Sequence, residues 1–351
     1  MKAKDEKLGE GCCFFNKDTL VLKLPKKSPI LSRMVVLAVV MICSVYICSI
    51  CLKQTKIHKE SNFMRIKLIE KPYHAHRIPH AQIPYVHYPE PITYSRNECA
   101  CAPVRFFTIV SMQRSGSGWF ETLLNSHINV SSHGEIFANK ERRSNMSAIM
   151  RTLDKVYNLD WNSSASKNEC TAAVGFKWML NQGLMQHYGE IAEYFNKRGV
   201  SVIFLFRRNQ LRQWISLLAN SHDQYAKQLN GTHKAHVHSQ YEANILARFK
   251  PMIDAKMLVP KLKQLHDWVV DALEQLKSNR HMVIYYEDLI RNDTKVKDVM
   301  DFLKVPQRRL ISHHVKIHTK PLSHLVENWD DVHNALAGTQ YESFLTSDYQ
   351  M

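Results

Sequence analysis

The sequence predicts an α/β protein in which a mostly parallel sheet is covered by helices, preceded by one transmembrane helix and a stem. A charge-free apolar segment lies near the N-terminus, prolines are frequent directly after it, and strand-like and helix-like stretches alternate from about residue 104 onwards. We expect four parts: a cytosolic tail (1–33), a transmembrane helix (34–52), a Pro-rich stem (53–103) and a luminal folded domain (104–351).

Composition narrows the classes of partner. The 351 residues are 45% hydrophobic and 23% charged, as in globular proteins, and 47 Lys+Arg against 32 Asp+Glu give a formal net charge of +15. This excess favours an anionic partner such as a nucleotide, a lipid, a nucleic acid or an acidic glycan. Because the chain lacks a nucleic-acid-binding signature, we expect no nucleic-acid partner.

The apolar segment runs from Met34 to Leu52 without a charged residue and covers roughly 28 Å at about 1.5 Å per residue. A cleaved signal peptide is the alternative, although the run is long and starts far from the N-terminus. Basic residues flank both sides, so the charge balance does not decide the orientation. Five glycosylation sequons after the segment favour a luminal body: Asn129, Asn145, Asn162, Asn230 and Asn292.

Prolines in residues 53–103 predict an extended stem that holds the folded domain away from the bilayer. Of the eight cysteines, two precede the apolar segment and three lie within it, so three are left that would face an oxidising lumen. We expect one disulfide from Cys170 to either Cys99 or Cys101, and the sequence does not choose between them.

The folded domain opens with a strand, a tight loop and a helix. Phe106–Ser111 is an apolar strand-like run, and apolar residues resume after it at helical spacing. Between them, Gly116 and Gly118 allow backbone N–H groups to converge on one point, and Arg114 supplies a cation. The loop therefore predicts a phosphate cradle, with an ordinary glycine-containing turn as the alternative.

The remaining elements continue the alternation. Polar, His-rich residues 220–251 predict a surface insertion. The other expected strands are 130–132 with a following turn, 172–177, 200–206 and 281–286, and the other expected helices are 183–197, one from about 211, and 262–276.

Ligands of open parallel sheets bind beyond the carboxyl ends of the strands. Several cations and a few acids stand there, as in a pocket for a compound with several phosphates: Arg114, Ser115, Ser117, Glu135, Lys177, Arg207, Arg208, Asn209, Glu287 and Asp288. The Gly-x4-Gly-Lys-Ser/Thr spacing of NTPases is absent. We therefore expect a phosphate donor used without a metal.

Three segments resemble the motifs of sulfotransferases. Gln113–Trp119 resembles their 5′-phosphosulfate loop, and Arg208 with Ser216 eight residues later resembles their 3′-phosphate motif. Tyr286–Leu289 is similar to a tyrosine-glutamate-aspartate segment of membrane-bound and bacterial members. The resemblance covers about residues 105–340 and is closest to the carbohydrate, tyrosylprotein and bacterial nodulation-factor type.

The resemblance implies a P-loop-like sulfotransferase fold and 3′-phosphoadenosine 5′-phosphosulfate (PAPS) as the sulfuryl donor. The implied donor contacts are Arg114, Ser115, Gly116, Ser117, Gly118, Trp119, Arg208, Ser216 and, in a late loop, Lys320. Glu135 resembles by position the glutamate that takes the acceptor proton, although a surface acid, a helix cap or a base at His133 are alternatives. Lys177 is a candidate for neutralising the transferred group, or a solvated strand-end lysine.

The implied acceptor is a hydroxyl, with carbohydrate expected ahead of protein tyrosine or a small metabolite. The donor is delivered to the Golgi lumen, so we expect a single-pass type II Golgi membrane protein. Two other functions stay open: an inactive binding or scaffold protein on the same fold, and a nucleotide kinase or NTPase.

Overall fold

The computed structural model describes residues 34, 37–50 and 78–347, and the chain divides into two compact units, Met1–Arg77 and Ile78–Met351. In the first unit, residues 37–50 are helical and their side chains are exposed. Within the described ranges, no helix has both the length and the hydropathy that a membrane crossing needs. The whole predicted tail (1–33) and parts of the predicted span and stem (35, 36 and 51–77) lie outside the described residues.

The second unit is built on a five-stranded parallel sheet, which confirms the predicted α/β class. Its strands are β1 (Arg105–Ser111), β2 (Val130–Ser132), β3 (Ala173–Met179), β4 (Val200–Phe206) and β5 (His281–Tyr285). They lie in the order β2-β3-β1-β4-β5, and every neighbouring pair is parallel. The strand that precedes the predicted phosphate loop is therefore central.

The central strands are buried on both faces, as the unbroken apolar runs in their sequences predict. In β1, Phe106 and Val110 enter one apolar cluster, whereas Phe107 and Ile109 enter another on the opposite face. Residues 78–347 contain nine α-helices: α1 (Ser117–Asn125), α2 (Met146–Tyr157), α3 (Tyr188–Arg198), α4 (Gln210–Ala226), α5 (Gln240–Leu246), α6 (Ala255–Gln275), α7 (Tyr286–Arg291), α8 (Asp293–Leu303) and α9 (Trp329–Leu336).

Helices cover both faces of the sheet. The first cluster joins the sheet to α2, α3 and α6, and the second joins it to α1, α7 and α8. A third cluster packs α4, α6 and α9 together beside the sheet. Each crossover helix thus buries an apolar stripe, as a doubly wound architecture requires.

The helix expected over residues 183–197 begins later than its periodicity indicates. Gly183 has a φ of 88° and Gln182 is also non-helical, so the chain turns once before α3 begins at Tyr188. The indole N–H of Trp178 donates to the Gln182 carbonyl at 2.8 Å. This bond fixes the turn beneath the end of β3.

Residues 78–103, the later part of the predicted stem, belong to the same compact unit as the sheet. His87 forms an antiparallel bridge with Val104, and its ring stacks on Phe106 with centroids 4.0 Å apart. Cys99 and Cys170 form a disulfide with their Cα atoms 5.3 Å apart, and Cys101 is a free, exposed thiol. The structure thus resolves the choice of partner for Cys170.

The polar segment expected as a surface insertion has structure of its own. It contains α5 and a small apolar cluster of Leu229, Val237, Ala243 and Leu246. Val315 and Ile317 of a later loop pack against this cluster, and Val315 bridges to Val237. The segment and the later loop therefore form one packing unit, and both reach the cavity described next.

Candidate active site

A cavity of about 1070 Å³ receives the residues that follow β1 and β4. The chain leaves β1 towards β3 and β2 on one side and continues through β4 and β5 on the other, so the order of the strands reverses between β1 and β4. Open parallel sheets bind ligands outside the carboxyl ends of their strands at such a point. Seven of the residues predicted to bind the donor or to act in catalysis line this cavity: Arg114, Gly116, Ser117, Gly118, Trp119, Glu135 and Ser216.

The loop between β1 and α1 needs its two glycines for different reasons. Gly116 has a φ of 80°, and a Cβ there would lie 2.2 Å from the Tyr286 ring. A Cβ at Gly118 would lie 2.3 Å from the His236 ring. Because neither position has room for a side chain, the backbone itself faces the cavity, and α1 begins at Ser117 with its N-terminal amides there.

Arg114 ties this loop to three distant parts of the chain. Its Nε donates to the Ser216 hydroxyl at 3.0 Å, and one of its Nη atoms donates to the Ala235 carbonyl at 2.8 Å. Arg207 donates to the Arg114 carbonyl at 3.2 Å. Desolvation, with the charge of Arg207, lowers the pKa of Arg114 to about 10, so the guanidinium stays charged at neutral pH.

Ser115 lies beneath the loop rather than on the cavity wall. It is fully buried, and the Gln213 amide donates both to its hydroxyl at 3.2 Å and to the Gln113 carbonyl at 2.8 Å. Gln213 is thus a supporting residue on α4 that clamps the loop from below.

Glu135 follows the edge strand β2 and lines the same cavity, with its side chain 33% exposed. Lys177 is two residues inside β3 and is buried, with its Nζ 3.2 Å from Glu135 and 3.3 Å from Glu121. The Gln182 amide donates to the second oxygen of Glu135 at 3.0 Å. Lys177 is therefore an ion-paired residue behind Glu135 and not a solvated strand-end lysine.

Glu121 is a site residue that our sequence reasoning missed. It lies on α1 at helical spacing from the buried residues Ser117 and Leu124, and this inward-facing position is the signal by which the sequence could have revealed it. A charged residue on a buried helix stripe needs a partner, and here the partner is Lys177.

His133, the alternative base, lies apart from the main cavity. Its Nδ1 is 2.8 Å from the Ser163 hydroxyl, and its ring lines a separate cavity of about 420 Å³. Burial lowers the pKa of His133 to about 4. Glu135 rather than His133 therefore has access to the main cavity.

The two arginines at the end of β4 point to different places. Arg207 lines the cavity, whereas the side chain of Arg208 is 50% exposed, pairs with Asp288 and lies 4.1 Å over the Tyr285 ring. The buried carboxylate of Glu287 accepts the backbone N–H of Arg208 at 3.0 Å. Both arginines lie beyond the end of β4, and the contacts of Arg208 with Glu287 and Asp288 hold it away from the cavity that receives Arg207.

Lys320 is exposed and does not line the cavity, although its carbonyl accepts from Arg212 at 3.2 Å. The late loop nevertheless forms much of the wall, with two arginines, a lysine and two histidines: Arg308, Arg309, Lys316, His314 and His318. Within the described part of the chain, the buried Nδ1 atoms of His314 and His318 have no hydrogen-bond partner. No group of three or more His, Cys, Asp or Glu side chains that could hold a metal ion occurs among the described residues.

Comparison with known proteins agrees with these features. The family model described as "Sulfotransferase domain" matches residues 106–323. Nodulation protein H of Rhizobium meliloti is 26% identical over 253 residues, which cover 69% of this chain and 95% of that protein. Nodulation protein H of Rhizobium meliloti strain 1021 is 27% identical over 254 residues, with the same coverage of both chains.

Two solved structures are also similar to this chain. The sulfotransferase from Alicyclobacillus acidocaldarius aligns with a TM-score of 0.35 and 14% identity, over 69% of this chain and 96% of that one. The sulfotransferase domain from the curacin biosynthetic pathway aligns with a TM-score of 0.31 and 17% identity, over 58% of this chain and 75% of that one. Since the family model spans the sheet, the phosphate loop and most of the cavity wall, this chain belongs to the sulfotransferase domain family.

Proposed function

We propose that this sulfotransferase moves a sulfuryl group from PAPS to a hydroxyl of a carbohydrate acceptor in the Golgi lumen. One observation carries the proposal: the glycine loop with Arg114 and the carboxylate of Glu135 open into the same cavity at the switch point of the sheet. One feature binds an anionic phosphate, and the other can accept a proton.

The residues present fit the donor. Gly116, Ser117 and Gly118 line the cavity, and the helix that begins at Ser117 directs its N-terminal amides there, where they can bind a phosphate. Arg114 and Arg207 add positive charge, and the unpartnered Nδ1 atoms of His314 and His318 offer further polar contacts. The volume of about 1070 Å³ is sufficient for a nucleotide and part of an acceptor.

The donor supplies a sulfuryl group whose bond to the 5′-phosphate breaks as the acceptor oxygen bonds to sulfur, and the bond pair leaves with the phosphate oxygen. Arg114 and the amides at the start of α1 stabilise the negative charge that gathers on that phosphate. Glu135 takes the proton of the acceptor hydroxyl. Arg207, which lines the same cavity as Ser216, is the cation we assign to the second phosphate in place of Arg208.

Polar neutral side chains favour a carbohydrate acceptor. Gln113, Asn220 and Gln224 line the cavity, and amides both donate and accept hydrogen bonds, as sugar hydroxyls require. The match to nodulation protein H covers 95% of that protein, which supports sulfuryl transfer to an acceptor over a scaffold role.

Three features support a luminal location. The charge-free segment from Met34 to Leu52 is long enough to anchor the chain. The disulfide between Cys99 and Cys170 suits an oxidising compartment. All five sequons follow the segment, and four of their asparagines are exposed: Asn145, Asn162, Asn230 and Asn292.

The test is transfer from 35S-labelled PAPS to a panel of glycans, tyrosine peptides and small hydroxyl compounds. We expect Arg114→Ala to weaken nucleotide binding by about 1.5–3 kcal/mol. Glu135→Gln should lower kcat by about 10²–10⁴-fold while nucleotide affinity stays near that of the wild type. Glu141→Gln, an exposed carboxylate in the same loop region, is the matched control and should retain activity.

The outcomes separate the alternatives. Absence of labelled product with any acceptor, despite tight nucleotide binding, would favour a binding or scaffold protein. Hydrolysis of ATP at a higher rate than turnover of PAPS would favour an NTPase. Full activity in Glu135→Gln would remove the base role from this carboxylate.

A further inference from the structure

We propose that Glu121, buried behind the cavity, is a positioning residue that fixes Glu135 in place and limits how strongly Lys177 binds it. The inference rests on the proposed function, in which Glu135 accepts the acceptor proton. Glu121 touches neither donor nor acceptor, since it does not line the cavity. It acts through two groups that it holds, the turn at Gly134 and the lysine Nζ.

The first group is the backbone turn that carries Glu135. One oxygen of Glu121 accepts the Gly134 N–H at 2.8 Å and the Ser132 hydroxyl at 2.6 Å. The Gly134 carbonyl accepts the Lys177 N–H at 3.0 Å, which extends the pairing of β2 and β3 beyond Ser132. Gly134 is thus held from both sides, and Glu135 follows it directly.

The second group is the side chain of Lys177, which two carboxylates share. The lysine and Glu121 side chains are 5% and 8% exposed, whereas that of Glu135 is 33% exposed. A buried ammonium with a single carboxylate partner would hold that carboxylate strongly in its charged form. With Glu121 taking part of the lysine charge, Glu135 remains able to accept a proton.

Two histidines also interact with the charge of Lys177. His236 and His314 also face Lys177, and desolvation lowers the pKa of both, that of His236 to about 3 with added effects of Lys177 and Arg114. Gln182, the other partner of Glu135, is neutral. Besides Glu135, the carboxylate that pairs with Lys177 is therefore Glu121.

The transfer step forms one bond to sulfur, breaks another and moves one proton. The acceptor oxygen bonds to sulfur, its proton moves to a Glu135 oxygen, and the sulfur–oxygen bond of the donor breaks with its electron pair on the phosphate. Loss of the Glu121 charge leaves Lys177 wholly to Glu135, which makes that oxygen a weaker base. Loss of the Gly134 bond also lets the carboxylate move.

The experiment is a double-mutant cycle with Glu121→Gln, Lys177→Met and both together, in the complete chain. We expect Glu121→Gln to lower kcat by about 10- to 100-fold, the range for a displaced catalytic group, with little change in the KM for PAPS. Its acid limb in the pH–rate profile should move to lower pH. The double variant should be no slower than Lys177→Met alone. The amide oxygen introduced by Glu121→Gln can still accept the Gly134 N–H, so the part of the Glu121 effect that this substitution removes acts through the lysine.

Three controls keep the result decisive. Binding of adenosine 3′,5′-bisphosphate and the unfolding temperature report whether each variant folds. Asp160→Asn removes a carboxylate that also accepts backbone N–H groups, from Ile92 and Thr93, far along the chain from the cavity residues, and should keep kcat unchanged. Glu121→Asp should recover part of the lost rate and of the shifted profile. The double variant removes both buried charges at once, so it tests the coupling even where Glu121→Gln alone unfolds.

The proposal and the proposed function can fail separately. Wild-type transfer together with an unchanged kcat and pH profile in Glu121→Gln would overturn the positioning role alone. Losses that multiply in the double variant would overturn it as well, because they would show two independent structural effects. Absence of sulfuryl transfer by the wild type would overturn both.

Discussion

Removing the disulfide should cost the folded domain much of its stability. Cys99 and Cys170 are 71 residues apart in the sequence, and the loop they close contains β1, the phosphate loop, α1, β2 and α2. In the chain-entropy treatment, a cross-link of this separation removes about 4 kcal/mol of freedom from the unfolded chain. For a domain of this size we expect Cys170→Ser to lower the unfolding temperature by roughly 10 °C.

Cys101 provides the matched control. It is two residues from Cys99, exposed and free of the disulfide, so Cys101→Ser should leave the unfolding temperature within about 1 °C of the wild type. Cys99→Ser alone is a poorer test, because Cys101 could then pair with Cys170. Thermal unfolding followed by circular dichroism, with and without a reductant, measures all variants.

Three results would contradict a stabilising bond between Cys99 and Cys170. A large drop in Cys101→Ser with none in Cys99→Ser would assign the bond to the other cysteine. Equal unfolding temperatures for the wild type and Cys170→Ser, both under oxidising conditions, would show that the cross-link does not limit the unfolded chain. Insensitivity of the wild type to the reductant would point the same way.

Three further predictions follow from single contacts. Gly116→Ala should abolish nucleotide binding in a calorimetric titration, because its Cβ would overlap the Tyr286 ring. Gly134→Ala has a similar positive φ but open space around it, so it should cost only about 1–2 kcal/mol of stability. Equal effects of the two substitutions would refute the steric reasoning. Burial lowers the pKa of His87 from 6.5 to about 4, so the unfolded chain binds a proton that the folded protein does not, and the free energy of unfolding should fall as the pH drops from about 6.5 towards 4. Denaturant titrations should show a smaller fall for His87→Phe, and an identical fall would locate the effect elsewhere. Glycosidase treatment of the protein expressed through the secretory pathway should increase its electrophoretic mobility. This shift should survive Asn129→Gln, because the Asn129 amide is half-buried and bonded to the Cys170 carbonyl, but it should disappear when the four exposed sequon asparagines are replaced together, namely Asn145, Asn162, Asn230 and Asn292. Protease sensitivity of the domain in sealed vesicles would contradict the luminal orientation.

Strands and the phosphate loop were predictable because local sequence determines them. The run from Val200 to Phe206 is apolar throughout and forms β4 with those bounds. The loop around Gly116 depends on residues close together in the chain, and its place at a strand-to-helix junction follows from the pattern alone. The family assignment rested on the same short segments.

Side-chain direction at the strand ends was less predictable. Arg207 and Arg208 are adjacent, and only the packing of Glu287 and Asp288 against them decides which one faces the cavity. Glu121 was missed because its partner Lys177 is 56 positions away in the sequence and meets it only through the sheet. Contacts of this kind depend on topology, which local periodicity does not contain.

The loops that close the cavity also follow from long-range packing. Residues 220–251 are polar and rich in histidine, which indicated a surface insertion, yet His236 lies against Gly118 and the Ala235 carbonyl accepts from Arg114. Similarly, the Pro-rich residues 78–103 read as a stem, but a bridge and a disulfide attach them to the sheet. Composition describes solvent preference and does not report which partner covers a segment.

The small apolar cluster of Leu229, Val237, Ala243 and Leu246 has a consequence for how this protein can change. It joins the two cavity loops to each other and is separate from the two clusters that hold the sheet. A substitution that reshapes the cavity wall there strains this cluster and leaves the large cores intact. Substitutions in the cavity loops can therefore change which molecule the cavity binds with little loss of stability, while the loop after β1 keeps its geometry.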